Sequence, residues 1–111
     1  MDVFIDKCSD YRDVQQVIEE AFTALGGLDK FVEDGEKILL KPNLLKGSLP
    51  EKAVTTHPKF IIAVIKVLEQ KDVDIIVGDS PAGPMSERRL EKCYKKAGWL
   101  RIKEETSARL N

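Results

Sequence analysis

Two cysteines and one histidine are all the soft metal ligands this sequence contains. Cys8 and Cys93 stand at opposite ends of the chain. Iron–sulfur and zinc sites draw on closely spaced ligands, and a disulfide framework needs more cysteines. The two thiols therefore read as reduced, and no metal or cofactor is expected on this chain. Aromatic residues are scarce too: four Phe, two Tyr and one Trp. That is thin material for stacking on bases, and a net charge of −1 sets up no field that would attract nucleic acid or an anionic membrane. No apolar run approaches the roughly 20 residues of a membrane-spanning helix. The opening MDVFIDKCSD carries acids where a secretory signal has a basic stretch. The expectation is a cytoplasmic protein with neither membrane nor nucleic acid as partner.

The composition that remains suits one folded unit. At 111 residues the chain has the size of a single domain, 1–111, and 42% hydrophobic residues suffice for a core. Val3 and Ile5 are β-formers, so Val3 to Asp6 reads as a first strand. Ser9 or Asp10 caps a helix whose face is Val14, Val17, Ile18, Ala21, Phe22 and Leu25. Gly26-Gly27 ends it. Ile38-Leu39-Leu40 is apolar on consecutive positions, as in a strand buried on both faces, and Pro42 cannot extend it. Pro58 opens a second helix marked by Ile61, Val64, Ile65 and Leu68. Val73 to Val77 is the next strand, closed by Gly78. Ser86 caps a helix with the stripe Leu90, Cys93, Tyr94, Ala97, and Gly98 stops it. Ile102 is the expected start of a fourth strand. This alternation predicts a three-layer α/β/α domain, Rossmann-like, with a mostly parallel sheet of three to four strands.

Between Lys41-Pro42 and His57-Pro58 lies a loop, Asn43 to Thr56, without periodicity. Loops of this length in small domains are usually functional or disordered, and Leu44 to Val54 is expected to be the more mobile part. Ligands of open α/β sheets bind beyond the carboxyl ends of the strands. The candidate catalytic residues there are Lys41, His57 and Asp79, and the candidate ligand-binding residues are Asn43, Thr55, Thr56, Gly78 and Ser80. Each has a plain structural alternative. Lys41 suits a solvated strand end and Asn43 a turn. His57, Thr55 and Thr56 suit helix capping, and Asp79 a turn with Ser80. Gly78 to Pro84, GDSPAGP, is neither the dinucleotide fingerprint nor a P-loop, but its N–H groups can cradle an anion. If strands two and three are neighbours, Lys41 and Asp79 meet. At an exposed edge their ion pair is worth about 0–1 kcal/mol, so alanine at either position should barely change stability.

The stretch GEKILLKPNLLKGSLPEKAVTTHPKFIIAVIKVLE followed by IIVGDSPAG resembles the domain-of-unknown-function 362 family. The opening KCSDYRDVQQVIEEAFTALGGLDKFVEDG is similar to the start of that family. The K-P-N, T-T-H-P and G-D-S-P blocks carry the likeness through Lys41, Pro42, Asn43, Thr55, Thr56, His57, Pro58, Gly78, Asp79, Ser80 and Pro81. Relatives have a glycine turn where this chain has Gln70-Lys71-Asp72. The resemblance implies that this is the N-terminal part of a longer type of chain, and that relatives carry ferredoxin-like cysteine clusters which no residue here matches. It lends no settled reaction. Three functional expectations stand side by side. One is part of an enzyme or redox-associated protein with a small-molecule site at the carboxyl edge of the sheet. The others are a binding module for a small anionic ligand and an inactive scaffold segment.

Overall fold

Helical spacing and turn chemistry place most elements where the sequence puts them. The computed structural model describes residues 2–84 and 86–111. The Asp10 side chain accepts from the Arg12 N–H at 2.8 Å and starts a 3-10 turn, Tyr11–Asp13, which runs into helix α1, Val14–Ala24. Strand β1, Lys37–Leu40, follows. Helix α2, Pro58–Leu68, has proline in its first turn, where no N–H is needed. Strand β2 is Asp74–Val77 and helix α3 is Glu87–Lys96, capped by Ser86, whose Oγ accepts from the Arg89 N–H at 3.2 Å. Helix α4, Leu100–Glu105, and the two-residue strand β3, Arg109–Leu110, close the chain.

The sheet order is β1-β2-β3 and every pairing is parallel. Lys37 lies opposite Asp74 and Leu40 opposite Val77, while Ile76 faces Arg109. This is an α/β fold with a parallel sheet, consistent with a Rossmann-like arrangement. The core gathers on one face. Ile38, Leu40, Ile75, Val77 and Leu110 meet Ile61, Ile65 and Leu68 of α2, Cys93 and Tyr94 of α3, Trp99, and Ile102 of α4. Burying each large aliphatic side chain contributes about 1.5–3 kcal/mol. On the opposite face Leu39 is 66% exposed, and Asp74 pairs with Arg109 at 2.8 Å.

The α/β class and the parallel sheet are as expected. Among the described residues the core-forming side chains of the helices gather on one face of the sheet. The reason is topological: strands added in sequence order by crossovers of one hand leave their helices on the same side, and a second layer requires the strand order to reverse. Two local expectations change. Val3 to Asp6 forms no strand; it is an arm without regular structure, with Val3 76% and Ile5 89% exposed. Ile102 starts no strand. Its N–H bonds Trp99 O at 3.0 Å, and its fully buried side chain anchors α4, so β3 forms only at Arg109. The loop between Asn43 and Thr56 hides Leu44 completely and Ser48 almost so, and carries its own 3-10 turn, Pro50–Lys52. A Cβ on its Gly47 would lie 3.0 Å from the Cα of Cys93, so the loop packs directly onto α3.

Candidate functional site

Because Leu40 and Val77 are directly opposite in parallel strands, the chain leaves both at the same edge. Lys41 follows one strand and Gly78-Asp79 the other. The Lys41 Nζ reaches Asp79 Oδ1 at 2.6 Å. The Leu44 N–H donates to Asp79 Oδ2 at 2.8 Å. The ammonium, the Leu44 amide and the Ser80 amide hold the Asp79 carboxyl below its ordinary value, in that order of importance apart from burial, which opposes them. Asp79 is therefore ionised at neutral pH with both oxygens engaged. Its side chain is only 7% exposed, whereas that of Lys41 is 70% exposed. The carboxylate organises the corner, and the lysine presents its charge to solvent.

The far end of the loop is tied to its start by Asn43. Its Nδ2 donates to Val54 O at 3.1 Å, and its carbonyl accepts from the Thr56 N–H at 2.9 Å. Thr56 O in turn accepts from the indole N–H of buried Trp99 at 3.0 Å. Thr55 is 6% exposed, and its Oγ1 has no hydrogen-bond partner among the described residues. His57 is the cap of α2: its Nδ1 accepts from the Lys59 N–H at 3.1 Å. Its ring stacks on Tyr11 with centroids 4.1 Å apart. Burial first, then the positive charges of Lys59 and Arg101, depress its pKa below the ordinary 6.5, so it is neutral at pH 7. Gly78 donates its N–H to Leu40 O at 3.1 Å, and a Cβ there would come within 3.0 Å of Asn111 Cβ. Ser80 is exposed beside Asp79.

The structure thus joins Lys41 and Asp79 through side chains, and links Asn43 to Thr56 through the backbone. Among the described residues neither His57 nor Thr55 hydrogen-bonds to the Lys41–Asp79 pair. Two contributors escaped the sequence reading. Tyr94 donates to Asn111 O at 2.7 Å, and burial followed by the nearby Asp79 charge pushes its phenol up. Arg89 clamps the loop after β2, donating to Pro84 O at 2.9 Å and also to Ala82 O. Its spacing on a basic helix gave no sign of this. The lone tryptophan did carry a signal, since a buried indole N–H needs an acceptor. Among the described residues, no three His, Cys, Asp or Glu side chains converge to hold a metal. No helix among them is long and apolar enough to cross a membrane.

Chemically, the edge offers one solvent-facing cation fixed by a spent carboxylate, beside loop amides. A proton shuttle is poorly served, because Asp79 is locked as an anion and the Nδ1 of His57 is used in capping.

A thylakoid-associated protein of Synechocystis sp. is 41% identical to this chain over 58 residues. That match takes in 52% of this chain and 18% of the relative, so the chain spans well under two-thirds of the relative's length. No solved structure matches. The family described as Domain of unknown function (DUF362) matches residues 38–111, a stretch that begins inside β1 and contains Lys41, the whole loop, Asp79 and β3. With two-thirds of its residues matched, including the corner that Lys41 and Asp79 build, the chain belongs to the domain-of-unknown-function 362 family.

Proposed function

We propose that this chain supplies the anion-holding part of a small-molecule site within a larger protein. The observation that carries the reading is the asymmetry of the Lys41–Asp79 pair: a 7% exposed carboxylate fixes a lysine whose side chain is 70% exposed at the carboxyl edge of the sheet. An exposed ion pair contributes only about 0–1 kcal/mol, so stability is a weak reason for this placement. The loop adds Lys46 and Lys52 against the single acid Glu51, so the edge is locally basic on a chain with net charge −1. The ligand class is a small phosphate or carboxylate, recognised by Lys41 with Asn43, Ser80 and loop N–H groups.

Any chemistry on the bound anion rests with residues outside this chain, because the groups here are committed to holding the loop. In the parent protein that chemistry is enzymatic or redox, in line with the iron–sulfur clusters that the family resemblance implies. The working compartment is the cytoplasm, and the thylakoid association of the Synechocystis relative fits a protein facing a membrane surface without spanning it.

The test is a titration of the ¹⁵N-labelled chain with inorganic phosphate and pyrophosphate at low salt. Saturable shifts of the Asn43, Leu44 and Ser80 amides are expected, and Lys41→Ala should abolish them while keeping the spectrum dispersed. Amide shifts that persist in Lys41→Ala would defeat the reading.

A further inference from the structure

We propose that the N-terminal arm, residues 2–6, of one copy pairs as an added strand with the free edge of β1 in a second copy, reciprocally, to give a symmetric dimer. β1 bonds only β2. Glu36 O and Leu40 O accept from the Asp74 and Gly78 N–H groups at 3.0 and 3.1 Å, so by alternation the N–H and C=O of Lys37 and Leu39 point away from β2. This leaves an unpaired edge, the kind of feature that recruits another strand. Beside it runs an apolar groove of about 260 Å³ between β1 and α2, lined by Leu40, Phe60, Ile61 and Val64.

The arm matches this edge in pattern and charge. Asp2-Val3-Phe4-Ile5-Asp6 laid along Lys37-Ile38-Leu39-Leu40-Lys41 puts an acid opposite a lysine at both ends. Opposite charges facing each other across strands are stabilising. The same alignment sets Val3 and Ile5 on the side of Ile38 and Leu40, over the groove, and Phe4 on Leu39, which is otherwise 66% exposed. Phe4 stands opposite Leu39 whether the strands run parallel or antiparallel. Among the described residues the arm makes only local hydrogen bonds, Lys7 N–H to Asp6 and the Cys8 thiol to Asp10 O; Val3 and Ile5 remain exposed, while Phe4 is half-buried against its own chain and would have to turn outward onto Leu39. The edge of another copy is therefore its occupant, and reciprocal exchange of the two arms closes a two-fold dimer.

Phe4→Cys/Leu39→Cys in a Cys8→Ser background tests this. Adjacent strands are about 4.8 Å apart, within the Cα separation of roughly 4.4–6.8 Å that a disulfide bridges. Under mild oxidation the expected product is a covalent dimer on non-reducing gels. The unoxidised wild-type chain should show twice its 12.5 kDa by light scattering. Lys37→Asp should bring that mass down to one chain without loss of helical signal. An intrachain disulfide would mean that the arm closes on its own edge. No cross-link, or equal cross-linking by Phe4→Cys alone, would mean that it does not seek the edge. Each of these three results overturns the proposal.

Discussion

Asp79→Ala removes the acceptor for the Leu44 N–H, and Leu44 is completely buried. A buried donor left without a partner costs about 1–3 kcal/mol. The Ser80 amide is on an exposed residue and can turn to water. The lost attraction to Lys41 adds about 0–1 kcal/mol, because that side chain is mostly solvated. The sequence-based expectation is that alanine at both positions is nearly neutral; the structure keeps that expectation for Lys41 and changes it to a clear loss for Asp79. For a chain of 111 residues the unfolding entropy near the midpoint converts each kcal/mol into about 4 °C. Asp79→Ala should lower Tm by about 4–16 °C, whereas Lys41→Ala and Asp79→Asn, which keeps an acceptor oxygen, should each lower it by less than about 4 °C. Calorimetry at neutral pH and moderate salt checks this. Equal shifts for Asp79→Ala and Lys41→Ala would refute the argument, since the ion pair and not the buried amide would then hold the corner. The pH dependence carries the same signature. Asp79 binds fewer protons folded than unfolded because Lys41 and the Leu44 amide depress its pKa below 3.8. Its stabilisation is complete above that unfolded value and is lost as pH falls through the folded one. Asp79→Asn should flatten this part of the acid-unfolding curve.

His57 should titrate below 6.5 when its ring protons are followed by NMR, because burial and the Lys59 charge disfavour the imidazolium. Its contribution to stability is full above 6.5 and declines as pH drops toward the folded pKa; a titration at or above 6.5 would contradict the burial argument. Thr55→Val deletes a buried hydroxyl without a partner while keeping shape, so denaturant unfolding should show a neutral or stabilising change within about 1 kcal/mol. A loss larger than that would reveal a hidden acceptor or donor at Oγ1. The single Trp99 is fully buried, so its fluorescence should be blue-shifted and resist acrylamide quenching until the chain unfolds. Trp99→Phe leaves Thr56 O without its donor and should cost about 1–3 kcal/mol, read as a lower denaturation midpoint.

Period and punctuation in the sequence determined most of the local structure. The stripe Ile61, Val64, Ile65, Leu68 behind Pro58 reads as a helix, and α2 is that helix; Ile62, Ala63 and Val67 are buried too, so more than the expected face is covered. The alternation of apolar runs and helices likewise fixed a parallel sheet, and with it the meeting of Lys41 and Asp79, since neighbouring parallel strands end at one edge. What the sequence left undecided depends on partners distant along the chain. Ile38-Leu39-Leu40 reads as buried on both faces, yet Leu39 is exposed, because coverage of a face depends on where crossovers place the helices. Val3 to Asp6 has the makings of a strand, but a strand exists only when another backbone pairs with it, and among the described residues none does. Ile102 sits in a helix because Trp99 and the core fix the chain direction there, overriding a β-branched preference. Asp79 is the sharpest case. Its residue type and position announced a charge at a strand end, but only the fold, by bringing the buried Leu44 amide to its second oxygen, decided that this charge is structural and that the exposed one belongs to Lys41.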